Sequence, residues 1–189
     1  MVKSWLTTVL MTAVVCSGSN VLASPKLGMS LPNRSGESCG AAIDAVKLDL
    51  AQQGYFIKWK GIRGNPIYPR TELNGGEIQG AYYGYPEDRT DTVTFFLAGD
   101  LTRLYKGLMS SPVLMATLGG RVMSACDRVG MINFSHWYEG YVPVGYFPDG
   151  TVRVFQWTDR RGSNGQHQRQ TETPEGTRIQ YEWGFYSSP

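Results

Sequence analysis

Histidine occurs only twice in this 189-residue chain, as His136 and His167, and that scarcity excludes a three-histidine metal site. No Gly-x-Ser-x-Gly segment is present, so the strained turn that exposes a hydrolase serine has no template. The glycine-bearing stretches Gly61-Ile62-Arg63-Gly64 and Asn74-Gly75-Gly76 lack the following Gly-Lys-Ser/Thr that a phosphate cradle requires. Charge is sparse at 18% of residues, and the basic side chains are scattered except around Arg160, Arg161 and Arg169. Without a concentrated positive field, no nucleic-acid partner is expected. Beyond the N-terminal stretch no apolar run reaches the roughly 18 residues that a membrane helix needs. No metal-ligand spacing or cofactor motif appears, so none is expected.

What is present begins with the N-terminus. Lys3 supplies a positive end, Trp5 to Val15 an apolar stretch, and Val21-Leu22-Ala23 before Ser24 the small-residue pattern that signal peptidase cuts. Residues 1–23 therefore read as a signal peptide. A lipoprotein signal would place a small residue before the lipidated cysteine, but bulky Val15 precedes Cys16. A retained anchor is interrupted by Thr12, Ser17, Gly18, Ser19 and Asn20. Cleavage removes Cys16 and leaves Cys39 and Cys126 in an oxidising compartment, periplasmic or extracellular, where an even pair reads as a disulfide. A redox pair would require the Cys-x-x-Cys spacing that tunes thiol acidity, and these two lack it. Residues 24–189 suit a single domain.

The 23 glycines and 12% aromatics argue for β-rich structure with tight connections. Residues 24–37, rich in Pro, Gly and Ser, read as a flexible lead-in to one domain over 38–189. Ser38 caps a helix whose apolar positions Cys39, Ile43, Val46 and Leu50 recur at helical spacing until Gly54. Tyr55 to Trp59 has strand character, and Gly61 to Gly76 reads as a loop. Glu77 to Tyr85 and Thr92 to Leu97 read as paired strands turning at Pro86-Glu87-Asp88-Arg89. Asp100 caps a short helix to Leu108, and Ser111-Pro112 opens a longer one with Leu114, Leu118, Val122, Cys126 and Val129 inward. Gly119-Gly120 within it implies close packing or a kink. Met131 to His136, Tyr141 to Phe147 and Thr151 to Trp157 read as strands, the last two joined at Pro148-Asp149-Gly150. Asp159 to Gly176 reads as an exposed loop. Alternation of Ile179, Tyr181, Trp183 and Phe185 against Arg178, Gln180 and Glu182 predicts a closing strand.

Together these elements predict an α+β fold, an antiparallel β-sheet with two helices packed on one face and linked by one disulfide between Cys39 and Cys126. That bond would set the start of the first helix beside the end of the long one.

His136 with Glu139 or Asp149 forms the candidate catalytic set, an imidazole and a carboxylate at a strand end. The strand pattern also puts His136 on the face of Ile132 and Phe134, where a structural histidine belongs. His167 lies in a polar stretch and reads as solvated. Trp137, Tyr138, Tyr141 and Trp157 are the candidate ligand-binding residues, because exposed rings on a sheet stack on sugar faces or anchor a protein partner. Nearby Tyr146, Phe147, Trp183 and Tyr186 share that crowding, and at least half of the rings are expected in the core.

The stretch Ser111 to Trp157, with Ala125-Cys126-Asp127-Arg128-Val129 and Pro148-Asp149-Gly150-Thr151-Val152, resembles a recurring pattern in small uncharacterised exported proteins of cyanobacteria. The resemblance implies a similar fold and compartment and supplies no catalytic residue. The expectation is an exported, non-enzymatic binding or interaction protein of the cell envelope, with a glycan or protein partner. An envelope hydrolase is the alternative.

Overall fold

The computed structural model describes residues 28–30, 36–60, 65–136, 140–158 and 167–187. The leader, Arg160, Arg161 and the candidates Trp137, Tyr138 and Glu139 lie outside the described residues. In chain order the elements are β1 (Met29–Ser30), α1 (Cys39–Gln52), β2 (Trp59–Lys60), β3 (Pro66–Ile67), β4 (Arg70–Asn74), α2 (Glu77–Ala81), β5 (Tyr82–Tyr83) and β6 (Asp91–Leu97). Then come α3 (Leu101–Arg103), a π-helical segment Leu104–Met109, α4 (Pro112–Ala125), β7 (Val129–His136), β8 (Gly140–Tyr146), β9 (Thr151–Val154), β10 (Gln156–Trp157), β11 (Gln168–Thr173), β12 (Gly176–Glu182) and β13 (Phe185–Tyr186).

Six strands form the main sheet in the order β1-β9-β8-β7-β6-β4. All pair antiparallel except β6 with β7. That parallel pair follows from the connection, since α3, the π segment and α4 carry the chain from the end of β6 back to the start of β7. Both long helices pack on one face. Val46 and Leu50 of α1 and Leu118 and Val122 of α4 share a buried cluster with Val93, Phe95, Ile132, Phe134 and Val144 of the sheet. Phe95 and Phe134 stack at its centre with ring centroids 5.7 Å apart.

The helices begin as the sequence predicts. The Ser38 hydroxyl accepts from the Ala41 amide at 3.2 Å, and Ser111 accepts from Leu114 at 3.4 Å with Pro112 opening α4. Gly54 follows α1 at φ +77°, a left-handed conformation that favours glycine. A Cβ at Gly119 would lie 3.2 Å from Val144 Cγ1, so this glycine lets α4 approach the sheet closely. Cys39 opens α1, Cys126 caps α4, and a disulfide joins them with Cα atoms 4.7 Å apart. The α4–β7 junction is also held by Arg89, whose Nη1 donates to the carbonyls of Val129 at 2.9 Å and Met123 at 3.0 Å. Its guanidinium lies over the Tyr146 ring, 4.3 Å from the centroid.

The opposite face of the sheet carries a second cluster of Ile78, Tyr82, Met131, Phe155 and Trp183. Gly145 makes room for it, since a Cβ there would stand 2.2 Å from Phe155 Cε1 and 2.9 Å from Trp183 Cζ2. This packing seats the C-terminal segment against the sheet, and the Trp183 indole donates to the Tyr146 carbonyl at 2.9 Å.

Several expectations are corrected. Met29–Ser30, in the expected flexible lead-in, is an edge strand paired with β9. Arg70–Asn74, read as loop, is the other edge strand; its polar residues suit an edge where one side meets water. Glu77–Ala81 is helical rather than extended, because Ile78 is drawn into the second core and Gly76 at φ +72° turns the chain into the helix. The strand β6 accordingly pairs with β4 and β7 rather than with the segment before it. Part of the expected loop from Asp159 to Gly176 is β11, hairpinned onto β12. The terminal strand does not close the main sheet: β12 joins β11 and β5, while β13 joins β10. Its faces are also reversed at Ile179, which is 45% exposed, whereas Gln180 is buried. Gln180 satisfies its amide by donating to the Gln79 carbonyl and accepting from Arg169 and Thr171. Among the described residues no helix is long and apolar enough to cross a membrane.

Candidate functional site

Beyond Val144, β8 loses β9 as a neighbour. The β8–β9 ladder runs from Tyr146↔Val152 to Val144↔Val154, the Phe155 amide donates to the Pro143 carbonyl, and the chain then veers off as β10 to pair with β13. The first residues of β8 and the β10–β13 ribbon thus diverge, and the π-helical segment closes the third side. Between them lies a groove of about 290 Å³ lined by Tyr105, Met109, Ser110, Gly140, Tyr141, Val142, Trp157 and Tyr186. That volume sits at the lower end of the range for small-molecule sites, about 300–1,000 Å³.

Each wall has a local cause. Parallel pairing sets Trp157 beside Tyr186, with the Thr158 amide donating to the Tyr186 carbonyl at 2.7 Å. Trp157 is 59% exposed, a large share for the largest side chain. Tyr141 and Tyr186 lie 5.8 Å apart between centroids, tilted by 45°. Tyr105 comes from the π segment, which forms where Tyr55 packs against Gly107; a Cβ on Gly107 would fall 2.1 Å from the Tyr55 hydroxyl. Such π turns recur at functional sites because the extra residue re-aims side chains.

The phenols at the floor of the groove are linked into the second core. Tyr141 is hydrogen-bonded to Tyr82, whose phenol is held far above its usual value, by burial first and then by Tyr141. Burial, followed by Tyr141, also raises the Tyr186 phenol. The Tyr82 and Tyr186 hydroxyls therefore stay protonated at physiological pH.

Of the expected ligand-binding residues, Tyr141 and Trp157 meet in this groove. Trp137 and Tyr138 are outside the described residues. Tyr105 and Met109 were not anticipated. Tyr105 was legible in principle as a bulky ring on the outward side of a helix whose inward positions are Leu104 and Leu108.

Of the candidate catalytic residues, His136 and Asp149 stand apart. His136 is 7% exposed at the end of β7, with its ring 6.5 Å from that of Tyr105. Asp149 sits in the turn beyond the other end of β8, where it accepts from the Thr151 amide at 3.0 Å and from Arg153 at 2.8 Å. Since Gly140 pairs with His136, roughly 20 Å of strand separates the two at about 3.3 Å per residue. Glu139 is outside the described residues. His167, expected to be solvated, stacks on Phe185 with centroids 3.6 Å apart and contacts Glu182 at 2.8 Å, fastening β11 to the C-terminal segment. Among the described residues no three His, Cys, Asp or Glu side chains gather into a group that could hold a metal ion.

No protein-family model, curated protein or solved structure matches this chain.

Proposed function

We propose that the protein is an exported, non-enzymatic binding protein of the cell envelope whose ligand seats in the ring-lined groove between β8, the β10–β13 ribbon and the π segment. The observation that carries this reading is Trp157, left 59% exposed on the wall of a concavity that Tyr105, Tyr141 and Tyr186 also line. Burying such a ring is a large favourable term at small entropic cost, which is why indoles and phenols concentrate at recognition sites. The Cys39–Cys126 disulfide suits an oxidising compartment, and the leader features of residues 1–23 point to the same address. The resemblance to exported proteins of cyanobacteria adds to that address and not to the ligand.

The test is to screen residues 24–189 against arrays of glycans, peptidoglycan fragments and peptides, with Trp157→Ala beside the unaltered chain. Binding to at least one class, lost in the variant while its thermal melt is unchanged, is the expected result. Silence across every class, or binding indifferent to Trp157, refutes the groove.

A further inference from the structure

We infer a second interaction surface, built from other residues than the groove: the β2–β3 hairpin is a basic, ring-bearing anchor that docks on a lipid bilayer containing anionic phospholipid. Charge is the first observation. From Ala51 to Thr71 the chain carries Lys58, Lys60, Arg63 and Arg70 and no acidic residue. The carboxylates that bracket this stretch already have partners, since Asp49 meets Arg121 at 3.4 Å and Glu72 meets Arg70 at 2.7 Å. With Arg70 set aside as the partner of Glu72, Lys58, Lys60 and Arg63 leave the segment with a positive surplus. Lys58 and Lys60 are both exposed. Clusters of this sign are drawn to the phosphates of an anionic membrane surface.

The second observation is how the hairpin is held. Its base is fastened where Phe56 meets Phe95 edge-on, with centroids 6.4 Å apart, and where the Ile57 amide donates to the Ala98 carbonyl at 3.1 Å. Beyond that point, among the described residues, β2 and β3 pair with each other and with no other strand. Trp59 stands opposite Ile67 and Lys60 opposite Pro66, so the indole and the Lys60 ammonium leave opposite faces of the ribbon. Trp59 is 37% exposed, Ile57 38% and Tyr68 56%, and the Lys58 ammonium lies over the Tyr68 ring, 5.1 Å from its centroid. A bilayer interface suits this combination. Indole and phenol rings settle at headgroup depth, while lysine stems lie along the apolar boundary with their charges among the phosphates. A soluble polyanion would engage the cations and leave Trp59 and Ile57 in water, so the lipid surface accounts for both halves of the hairpin. Such anchoring lays the protein on the membrane and requires no helix that crosses it.

The deciding experiment sediments residues 24–189 with vesicles of phosphatidylcholine alone and of phosphatidylcholine with about 30% phosphatidylglycerol, at about 0.1 M and about 0.5 M salt. Partition onto the anionic vesicles is expected to exceed that onto the neutral ones by about tenfold or more at low salt and to fall sharply at high salt. Replacing both lysines, Lys58→Gln with Lys60→Gln, is expected to weaken anionic binding by about tenfold or more. Trp59→Ala is expected to weaken it by about fivefold while leaving the salt dependence in place. Brominated lipid in the anionic vesicles should quench tryptophan emission of the unaltered chain, and Trp59→Phe should remove most of that quenching. Circular dichroism melts check that each variant keeps its fold. Equal binding to neutral and anionic vesicles, binding to neither, or indifference to the paired lysine change overturns the inference. Salt-sensitive binding that Trp59→Ala leaves untouched, with quenching unchanged in Trp59→Phe, marks a polyanion site instead and overturns the bilayer assignment.

Discussion

Gly145→Ala adds one methyl at the point where the C-terminal segment meets the sheet. The new Cβ would stand 2.2 Å from Phe155 Cε1, 2.7 Å from its Cζ and 2.9 Å from Trp183 Cζ2. Carbon atoms settle at about 3.5–4.0 Å, so the Phe155 ring must retreat by more than about 1 Å. It has little space to do so. Tyr82, Trp183 and Phe147 hold it edge-on, with centroids 5.6, 4.8 and 5.9 Å away. Overpacking of this kind costs about 1–3 kcal/mol. Gly145 is not among the glycines with positive φ, so alanine also restricts the unfolded chain and returns about 0.4–1 kcal/mol. The net expectation is a loss of about 1–2 kcal/mol, or about 2–8 °C in melting temperature for a domain of this size. Thermal melts followed by circular dichroism measure it. Gly40→Ala serves as the control, because nothing lies within 4 Å of its new Cβ and the position is helical, so it should hold or raise the melting point. A Gly145→Ala protein that melts at or above the unaltered chain refutes the account of the second core.

Reducing the disulfide should matter more. Cys39 and Cys126 are 87 residues apart, and closing a loop of that length is worth about 4–5 kcal/mol in the chain-entropy model. Melting in the presence of a strong reductant should therefore fall by about 10–20 °C, and a drop within about 3 °C would contradict the clamp. The buried Tyr82 phenol gives a pH signature. Its folded value is raised above its ordinary 10.0, chiefly by burial. The neutral phenol thus contributes full stability below about pH 10, and stability falls as pH climbs further, by up to about 1.4 kcal/mol per pH unit from this group. Urea unfolding between pH 9 and 11 (about that window) should show a shallower decline in Tyr82→Phe, and equal slopes in the two proteins would reject the assignment.

The parts of this molecule legible in its sequence are those governed by local rules. Ser38 and Ser111 cap helices because a hydroxyl before an apolar-periodic stretch satisfies orphaned amides, and Pro148-Asp149-Gly150 turns β8 into β9 by chemistry contained within three residues. The cysteine pair followed from counting. What escaped was set by distant packing. Glu77–Ala81 looks extended until Ile78 finds a buried seat beside Tyr82 and Met131, and β11 hides in a polar stretch because one face of its hairpin remains in water. Alternation misassigned Ile179 and Gln180 because the Gln79 carbonyl and the Arg169 and Thr171 side chains, far from obvious in one dimension, give a buried amide its partners. The groove was half visible. Tyr141 and Trp157 were marked by aromatic crowding, but no spacing rule announces that β10 peels away from β8 to leave room between them.

A helical stretch wound one residue too wide, as at Leu104–Met109, has a natural counterpart in an ordinary α-helix shortened by a single residue. Losing one codon there would swing the preceding side chains by about 100° around the axis and replace Tyr105 at the mouth. Descendants of this gene could thus exchange one whole wall of the groove in a single deletion, while the sheet beneath goes on folding as before.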